Sequence, residues 1–459
     1  MYILWIFTWL MRPLVVSQLY PLTSEYASGI TGVPKEDISQ AARIYASPPF
    51  SGSCLIWGMG ITQHTNGTAN AHGLLNLALA AGQLGKPGSG ISPLRGQNNV
   101  QGCGDAGCLP NAFPGYQTIN PDTLAKFQKA WGNQSLPAKN GLVVTEMVDQ
   151  ILTDRIKAMY ITGENPLLSE PDLNHATEAF QNLEFLVVQD IFMHETAEIA
   201  DVVLPATSFA EKDGTFTNSE RRVQRVRKIV DPISNSRPDW EIISDLGRRI
   251  STKLNLGVEA EFSYNHPSEI WDEMASLTPS LAGISYSRLD NEGGIQWPCP
   301  TPQHPGTRFL YENDFPRGSR AKFVGYHQGP AAEEMPSEKF PLILNTGRIL
   351  YHWHGGTITR RAEGLLARAP ELEISIHEND GERFDIDNGE WVRIRSRRGD
   401  LEGRILYTDK MRPGEIFVPF AKLEKHAANF LTNSVFDPDS KIPEYKVCAV
   451  RIEKVGAHA

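Results

Sequence analysis

Cysteine is scarce in this chain, with five in 459 residues: Cys54, Cys103, Cys108, Cys299 and Cys448. That is too few for a disulfide framework, and the usage fits a reducing compartment. No two of them form a C-x-x-C pair, so neither a zinc ribbon nor a ferredoxin-type cluster site can be read. Cations are not in excess either. Against 54 Asp and Glu stand 44 Lys and Arg, and the formal charge of -10 argues against a nucleic-acid partner, which needs clustered cations. A single Arg or a helix N-terminus could still hold one anion. Nor is there a clean membrane-spanning run. Residues 1–16 are apolar apart from Thr8, Arg12 and Pro13, but a span needs roughly 20 apolar residues and Arg12-Pro13 interrupts this one. No basic segment precedes it and no small-residue cleavage site follows, so a signal peptide fits poorly. The expectation is no membrane span and a cytoplasmic chain, with a periplasmic setting left open. Internal repeats and low-complexity tracts are absent.

What is present is ordinary globular composition, 41% hydrophobic and 21% charged, in a chain long enough for two or three domains. Residues 19–46 read as helical, with a turn at Gly32-Val33-Pro34 before Lys35-Glu36-Asp37. The run Ser53-Cys54-Leu55-Ile56-Trp57-Gly58 reads as a short strand, and residues 70–81 as a helix apolar nearly all round, suited to an interior. Residues 156–161 and 185–188 read as strands with a helix over 172–181 between them, followed by Asp201-Val202-Val203-Leu204-Pro205. Strand, helix, strand with short connections implies a parallel sheet, whose ligands sit beyond the carboxyl ends of the strands. Those ends carry Gly163-Glu164-Asn165 and Gln189-Asp190, polar groups suited to a nucleotide. Residues 256–338 read as an irregular linker or excursion rich in Pro, Gly and His. Short strands at 342–344, 372–376, 391–394 and 415–418, with turns at Asn388-Gly389 and Pro413-Gly414, predict a compact β-barrel.

The densest chemical signal lies between Gly82 and Gly102, where six glycines let backbone approach something closely. Gln97, Asn98, Asn99 and Gln101 supply amides that both donate and accept, around the single strong cation Arg95. A loop that merely turns does not explain four amides around one Arg. Three other features have plainer readings. Cys103 and Cys108, with four residues between them, are a conceivable metal or redox pair, but a packed thiol is commoner. His352-Trp353-His354 alternates as a strand would, yet two ligands without a third make a weak metal case. The run Arg221-Arg222-Val223-Gln224-Arg225-Val226-Arg227-Lys228 fits a solvated strand face, or one packed beside an anionic cofactor.

The segment Leu94-Arg95-Gly96-Gln97-Asn98-Asn99-Val100-Gln101-Gly102 resembles the signature of molybdopterin-dependent formate dehydrogenase catalytic subunits. Gly58-Met59-Gly60-Ile61-Thr62-Gln63-His64, Gly163-Glu164-Asn165-Pro166, Val188-Gln189-Asp190-Ile191-Phe192 and Ala200-Asp201-Val202-Val203-Leu204-Pro205 also match. So do the Asp213-Gly214-Thr215 segment and Pro443-Glu444-Tyr445-Lys446-Val447-Cys448. The likeness covers nearly everything after Gln18.

That resemblance implies an α/β fold of Rossmann-like parallel-sheet domains followed by a C-terminal β-barrel of double-psi type. The expected segments are a partial α/β domain over 1–97, a dinucleotide-binding domain over 98–239, a connecting segment over 240–338 and the barrel over 339–459. It implies a molybdenum or tungsten ion held by two pterin guanine dinucleotides. Arg95 would pair with the formate carboxylate, with Gly96 and Gln97 beside it. Met59 and Gln63 would border the pterin. Gly163, Glu164, Asn165, Gln189, Asp190 and Asp239 would line one guanine site, and Arg348, His352, Asn429, Tyr445 and Lys446 would complete the second pterin's site. No metal-ligating residue is expected in this chain. Family members begin with a Cys-rich iron–sulfur segment and carry a Cys or selenocysteine metal ligand. This sequence shows neither, so it reads as an N-terminally truncated subunit that alone turns over little formate. The implied partners are formate and an electron-accepting subunit or carrier of iron–sulfur, flavin/NAD or hydrogenase type. The rival functions are another molybdopterin oxidoreductase, such as a nitrate reductase, and a non-catalytic scaffold subunit of an electron-transfer complex.

Overall fold

The computed structural model describes residues 23–47, 52–315, 318, 320–325, 332–423 and 426–455; the apolar start at 1–16 lies outside them. Two units result, each drawn from separated stretches of chain. The first comprises Met1–Ile56, His72–Ser92 and Phe309–Gly325, the second Trp57–Ala71, Pro93–Arg308 and Tyr326–Ala459. The chain leaves the first unit after Ile56, re-enters it at His72 and returns to it again at Phe309.

In the first unit the helices Ser24–Thr31 and Lys35–Ala46 flank the expected turn. Thr23 caps the first by accepting from the Tyr26 N–H, and Gly32, at φ 70°, closes it in a conformation that suits glycine. Buried Gln83 then ties two stretches together, accepting from the Ser53 N–H at 2.9 Å and donating to the Tyr45 carbonyl at 3.2 Å. The expected interior helix forms as Gly67–Ala80, but Leu75 and Leu77 are 37% and 45% exposed. An all-round apolar pattern records a capacity for burial and does not supply the covering surface.

The second unit contains a three-stranded parallel sheet: β1 (Ala158–Thr162), β2 (Phe185–Asp190) and β3 (Val202–Pro205), with β2 in the middle. Ile161 pairs with Val188 and Val188 with Val203. The helices Val144–Leu152 and Leu173–Gln181 bring Val148, Ile151, Ala179 and Phe180 against Ile161, Leu186 and Val188. Parallel strands joined by crossovers of this kind bring their carboxyl ends to one edge.

Residues 256–338 are more than a linker. Helices Pro267–Ser276 and Tyr286–Glu292 place Trp271, Ala275, Leu281, Ile284, Leu289, Ile295 and Cys299 in a core with Val223. Their apolar positions are interrupted by Pro and Gly, so no period shows in the sequence. The strand Arg222–Val226 beside them is basic, yet its charges are matched. Arg225 pairs with Asp213 at 3.2 Å and Asp290 at 3.0 Å and lies 3.9 Å from the Tyr286 ring centre, while Arg227 meets Asp290 at 2.6 Å.

The barrel is closed and six-stranded: β4 (Leu342–Gly347), β5 (Glu373–Ile376), β6 (Trp391–Arg395), β7 (Asp400–Tyr407), β8 (Glu415–Pro419) and β9 (Cys448–Lys454). Its order is β4-β8-β5-β7-β6-β9, with β4–β8 and β5–β7 parallel and the other pairs antiparallel. Alternate residues point inward, and Leu344, Ile374, Val392, Ile394, Ile416, Val418 and Val450 are fully enclosed. Replacing Ile374 by Ala leaves a void among them. Urea unfolding is expected to show a loss of about 2–5 kcal/mol, and an unchanged midpoint would contradict so tight a packing.

Candidate functional site

A cavity of 570 Å³ opens where the carboxyl edge of the parallel sheet meets the barrel within the second unit. Gly163, Glu164 and Asn165 follow β1, Gln189 and Asp190 end β2, and Ala206 and Thr207 follow β3; all line it. Arg348 comes from the loop after β4, Phe420 from the end of β8, and Asn429 and Tyr445 from the segment before β9. Met59, Gln63, Gln97 and Asp239 complete the predicted residues that it gathers.

Its sheet side is a chain of polar side chains. Tyr160 donates to Gln189, whose amide in turn donates to Asp239 at 2.7 Å, and Lys212 pairs with the other Asp239 oxygen. Both Asp239 oxygens are thus engaged, each keeping a second lone pair that can accept from a ligand. Asp190 takes the Ile191 N–H at 2.6 Å and lies 3.3 Å from His194 Nε2. Burial raises the Glu164 carboxyl pKa. At Glu170, burial and then the neighbouring Glu164 raise it to about 7. These buried acids favour a ligand that donates hydrogen bonds over one that brings further negative charge.

The barrel side carries positive charge. Arg348 Nη2 lies 3.3 Å from the His354 ring and 3.8 Å from Met59 Sδ. Burial and the Arg348 charge bring Lys446 down to about 8, and burial and Arg348 also lower His354. Lys446 itself donates to the Thr346 carbonyl behind the lining. His352 is buried outside it, held by the Ala369 carbonyl at 2.8 Å and Thr359 Oγ1 at 3.3 Å. The strand alternation expected of His352 and His354 does not form. The chain turns there, with His354 at φ 51°, and His354 is the imidazole that lines the cavity.

Arg95 is exposed and lies just outside the lining, in the loop that leads into it. A Cβ on the next residue, Gly96, would stand 2.9 Å from His354 Cε1 and 3.0 Å from Arg348 Nη2, so any larger residue would have to push the His354 ring and the Arg348 guanidinium aside. The guanidinium is anchored on one edge. Gln101 Oε1 accepts from Nε at 3.2 Å and from Nη2 at 3.0 Å. Gln101 donates through its own amide to Asp105 and to the Tyr116 hydroxyl, both at 2.8 Å, and Asp105 accepts from Trp297 Nε1 at 2.7 Å. Gln101 and Asp105 are buried one turn apart on the helix Val100–Asp105. The remaining edge of Arg95, Nη1 with the second Nη2 proton, has the geometry to grip a carboxylate by two parallel hydrogen bonds.

Several of these residues escaped the sequence reading. Glu170, Lys212, Trp353 and His354 line the cavity, Asp105 and Tyr116 hold Gln101, and Trp297 holds Asp105. Spacing hides them because loops far apart in sequence bring them together. Conversely, Asn165, Asn429 and Tyr445 also serve the architecture. Asn165 reaches Glu195 at 2.7 Å, Asn429 the Leu168 and Ser169 carbonyls at 3.1 and 3.0 Å, and the Tyr445 hydroxyl the Ser169 carbonyl at 2.7 Å.

Comparison with known proteins gives a consistent answer. Residues 45–249 match the molybdopterin oxidoreductase family, and residues 342–449 match the molybdopterin dinucleotide binding domain. The F420-dependent formate dehydrogenase subunit alpha of Methanocaldococcus jannaschii is 44% identical over 434 residues, which is 94% of this chain and 62% of that protein. Formate dehydrogenase H of Escherichia coli is 37% identical over 94% of this chain and 60% of its own length. Among solved structures, the acetylene hydratase of Pelobacter acetylenicus shares the fold, with a TM-score of 0.70 at 16% identity over 97% of this chain and 66% of that one. The chain therefore spans about three fifths of the length of these two curated relatives.

Proposed function

The chain belongs to the molybdopterin oxidoreductase family, and from that premise we propose that it encloses the cofactor and orients formate in a formate dehydrogenase catalytic subunit. The reading rests chiefly on Arg95, held by Gln101 along one edge with its other edge shaped for a carboxylate. The cavity fits a pterin dinucleotide, proposed as two guanine dinucleotides around molybdenum or tungsten. Gln63 Oε1 and Thr207 Oγ1 are buried in its lining without a hydrogen-bond partner among the described residues, a costly arrangement that a polar ligand would relieve. Glu164 and the Gln189–Asp239 pair would accept from a guanine edge, and Arg348 with Lys446 would offset anionic groups.

When bound, the cofactor supplies the two-electron acceptor for formate. The residues of this chain do the rest by position. Arg95 fixes the carboxylate, Gln101 holds the guanidinium, and the enclosed acids on the sheet side set the orientation of the nucleotide. The electron-accepting partner is proposed as an iron–sulfur, flavin or hydrogenase-type protein, with an iron–sulfur cluster in the intact subunit as the link.

Calorimetric titration of this chain with GDP and ADP tests the nucleotide assignment. GDP is expected to bind at least about tenfold more tightly, the worth of one well-made hydrogen-bond pair. Asp239→Ala is expected to remove the preference, and equal affinity for the two nucleotides would overturn the assignment. For the reaction, the complete subunit should reduce a viologen dye with formate. Reduction of nitrate without oxidation of formate would place it with the rival enzymes of the family.

A further inference from the structure

The pair Cys103 and Cys108 takes no part in the site above, yet its setting is specific. The helix Val100–Asp105 ends in a Schellman cap. The Cys108 N–H donates to the Cys103 carbonyl at 3.1 Å, the Gly107 N–H donates to the Gly104 carbonyl at 3.1 Å, and Gly107 turns the chain at φ 87°. Such a cap brings together the side chains at its two ends, commonly an apolar pair. Here both are thiols exposed to solvent, and each shifts the other's pKa. The outer backbone bond of the cap keeps the Cys103 and Cys108 main chains side by side, the closeness a disulfide needs.

We propose that Cys103 and Cys108 are a reversible dithiol–disulfide site whose co-reactant is a small organic disulfide. The hydrogen bond from the Cys103 thiol lowers the pKa of Cys108, making it the attacking thiolate, and Cys103 correspondingly titrates higher. The Cys108 sulfur displaces one half of the small disulfide as a thiolate, forming a mixed disulfide. The Cys103 sulfur then attacks the Cys108 sulfur, loses its proton and expels the second half. Two protein thiols are oxidised, one external disulfide is reduced to two thiols, and the two protons go with them. Cys103 lies on the helix face opposite Gln101 and Asp105, so the bond forms without breaking the contacts that hold Arg95. It pins the exit of the helix on which that anchor is built.

The test needs only this chain, equilibrated with glutathione and glutathione disulfide at graded ratios, alkylated with iodoacetamide and mapped by peptide mass. In oxidising mixtures, alkylation of Cys103 and Cys108 is expected to fall together by at least tenfold. Their peptide should then be lighter by two hydrogens, while exposed Cys54 stays alkylated or carries glutathione. Cys103→Ser should stop at a glutathione adduct on Cys108, and Cys108→Ser should give no internal bond. Full alkylation of both residues in every mixture would overturn the proposal, as would separate glutathione adducts without ring closure in the unsubstituted chain. Either result would leave the two thiols as a packed helix cap.

Discussion

Arg95→Lys in the complete catalytic subunit is expected to lower kcat/KM for formate by about 10²–10³-fold, and Arg95→Ala by at least as much. The reason is geometric. Gln101 occupies Nε and one Nη2 proton, which turns the end of the guanidinium outward as a two-pronged donor. An ammonium at the same place has no planar fork and cannot bond Gln101 and a carboxylate in the same two orientations. The loss should fall on formate and leave GDP binding to this chain intact, because Arg95 stands outside the nucleotide cavity. Steady-state kinetics with formate check the first part and calorimetry the second. Activity within tenfold of the unsubstituted enzyme would remove Arg95 from the reaction, whatever its fold.

Glu195→Gln is expected to weaken the attachment of the barrel to the sheet by about 3 kcal/mol. Glu195 accepts from Asn165 at 2.7 Å on the sheet side, and from Arg360 at 2.6 Å and Lys422 at 2.8 Å on the barrel side. Burial pushes its carboxyl pKa up, but the bonds from Lys422, Asn165 and Arg360 outweigh burial and hold it at about 2. Because the folded value lies below the ordinary 4.5, the stabilisation is fully present above pH 4.5 and is lost as pH falls from there toward 2. Unfolding followed at pH 7 and at pH 3 should therefore show a large difference between the unsubstituted and E195Q chains at the higher pH and a smaller one at the lower. A pH-independent difference would mean that Glu195 acts by packing alone.

The sheet and most of the barrel were legible because their signals are local. β1 and β2 alternate with one helix, their ends are marked by Gly163 and Asp190, and four barrel strands are bounded by turns. β7 and β9 were missed. Arg404 and Gly403 break up the apolar pattern of the first, whereas the second does alternate, over Val450, Arg451, Ile452 and Glu453, and its signal was overlooked. The core around Trp271 and Leu281 was missed because its apolar residues follow no period and converge only through Val223 of another element. At the site, the motifs revealed which residues touch the cavity from strand ends. They did not reveal His354, since its contribution depends on one left-handed residue turning the loop.

The barrel's pairing also has a bearing on synthesis. β4 is flanked by β8 and β9, and its partner Val450 for Leu342 emerges from the ribosome more than a hundred residues later. Both edges of β4 stand open until β8 emerges, and the edge that β9 covers stays unmatched until Val450 follows. The nascent polypeptide thus carries an apolar ribbon through several seconds of translation, and shielding it in that interval falls to the ribosome surface or a holding chaperone.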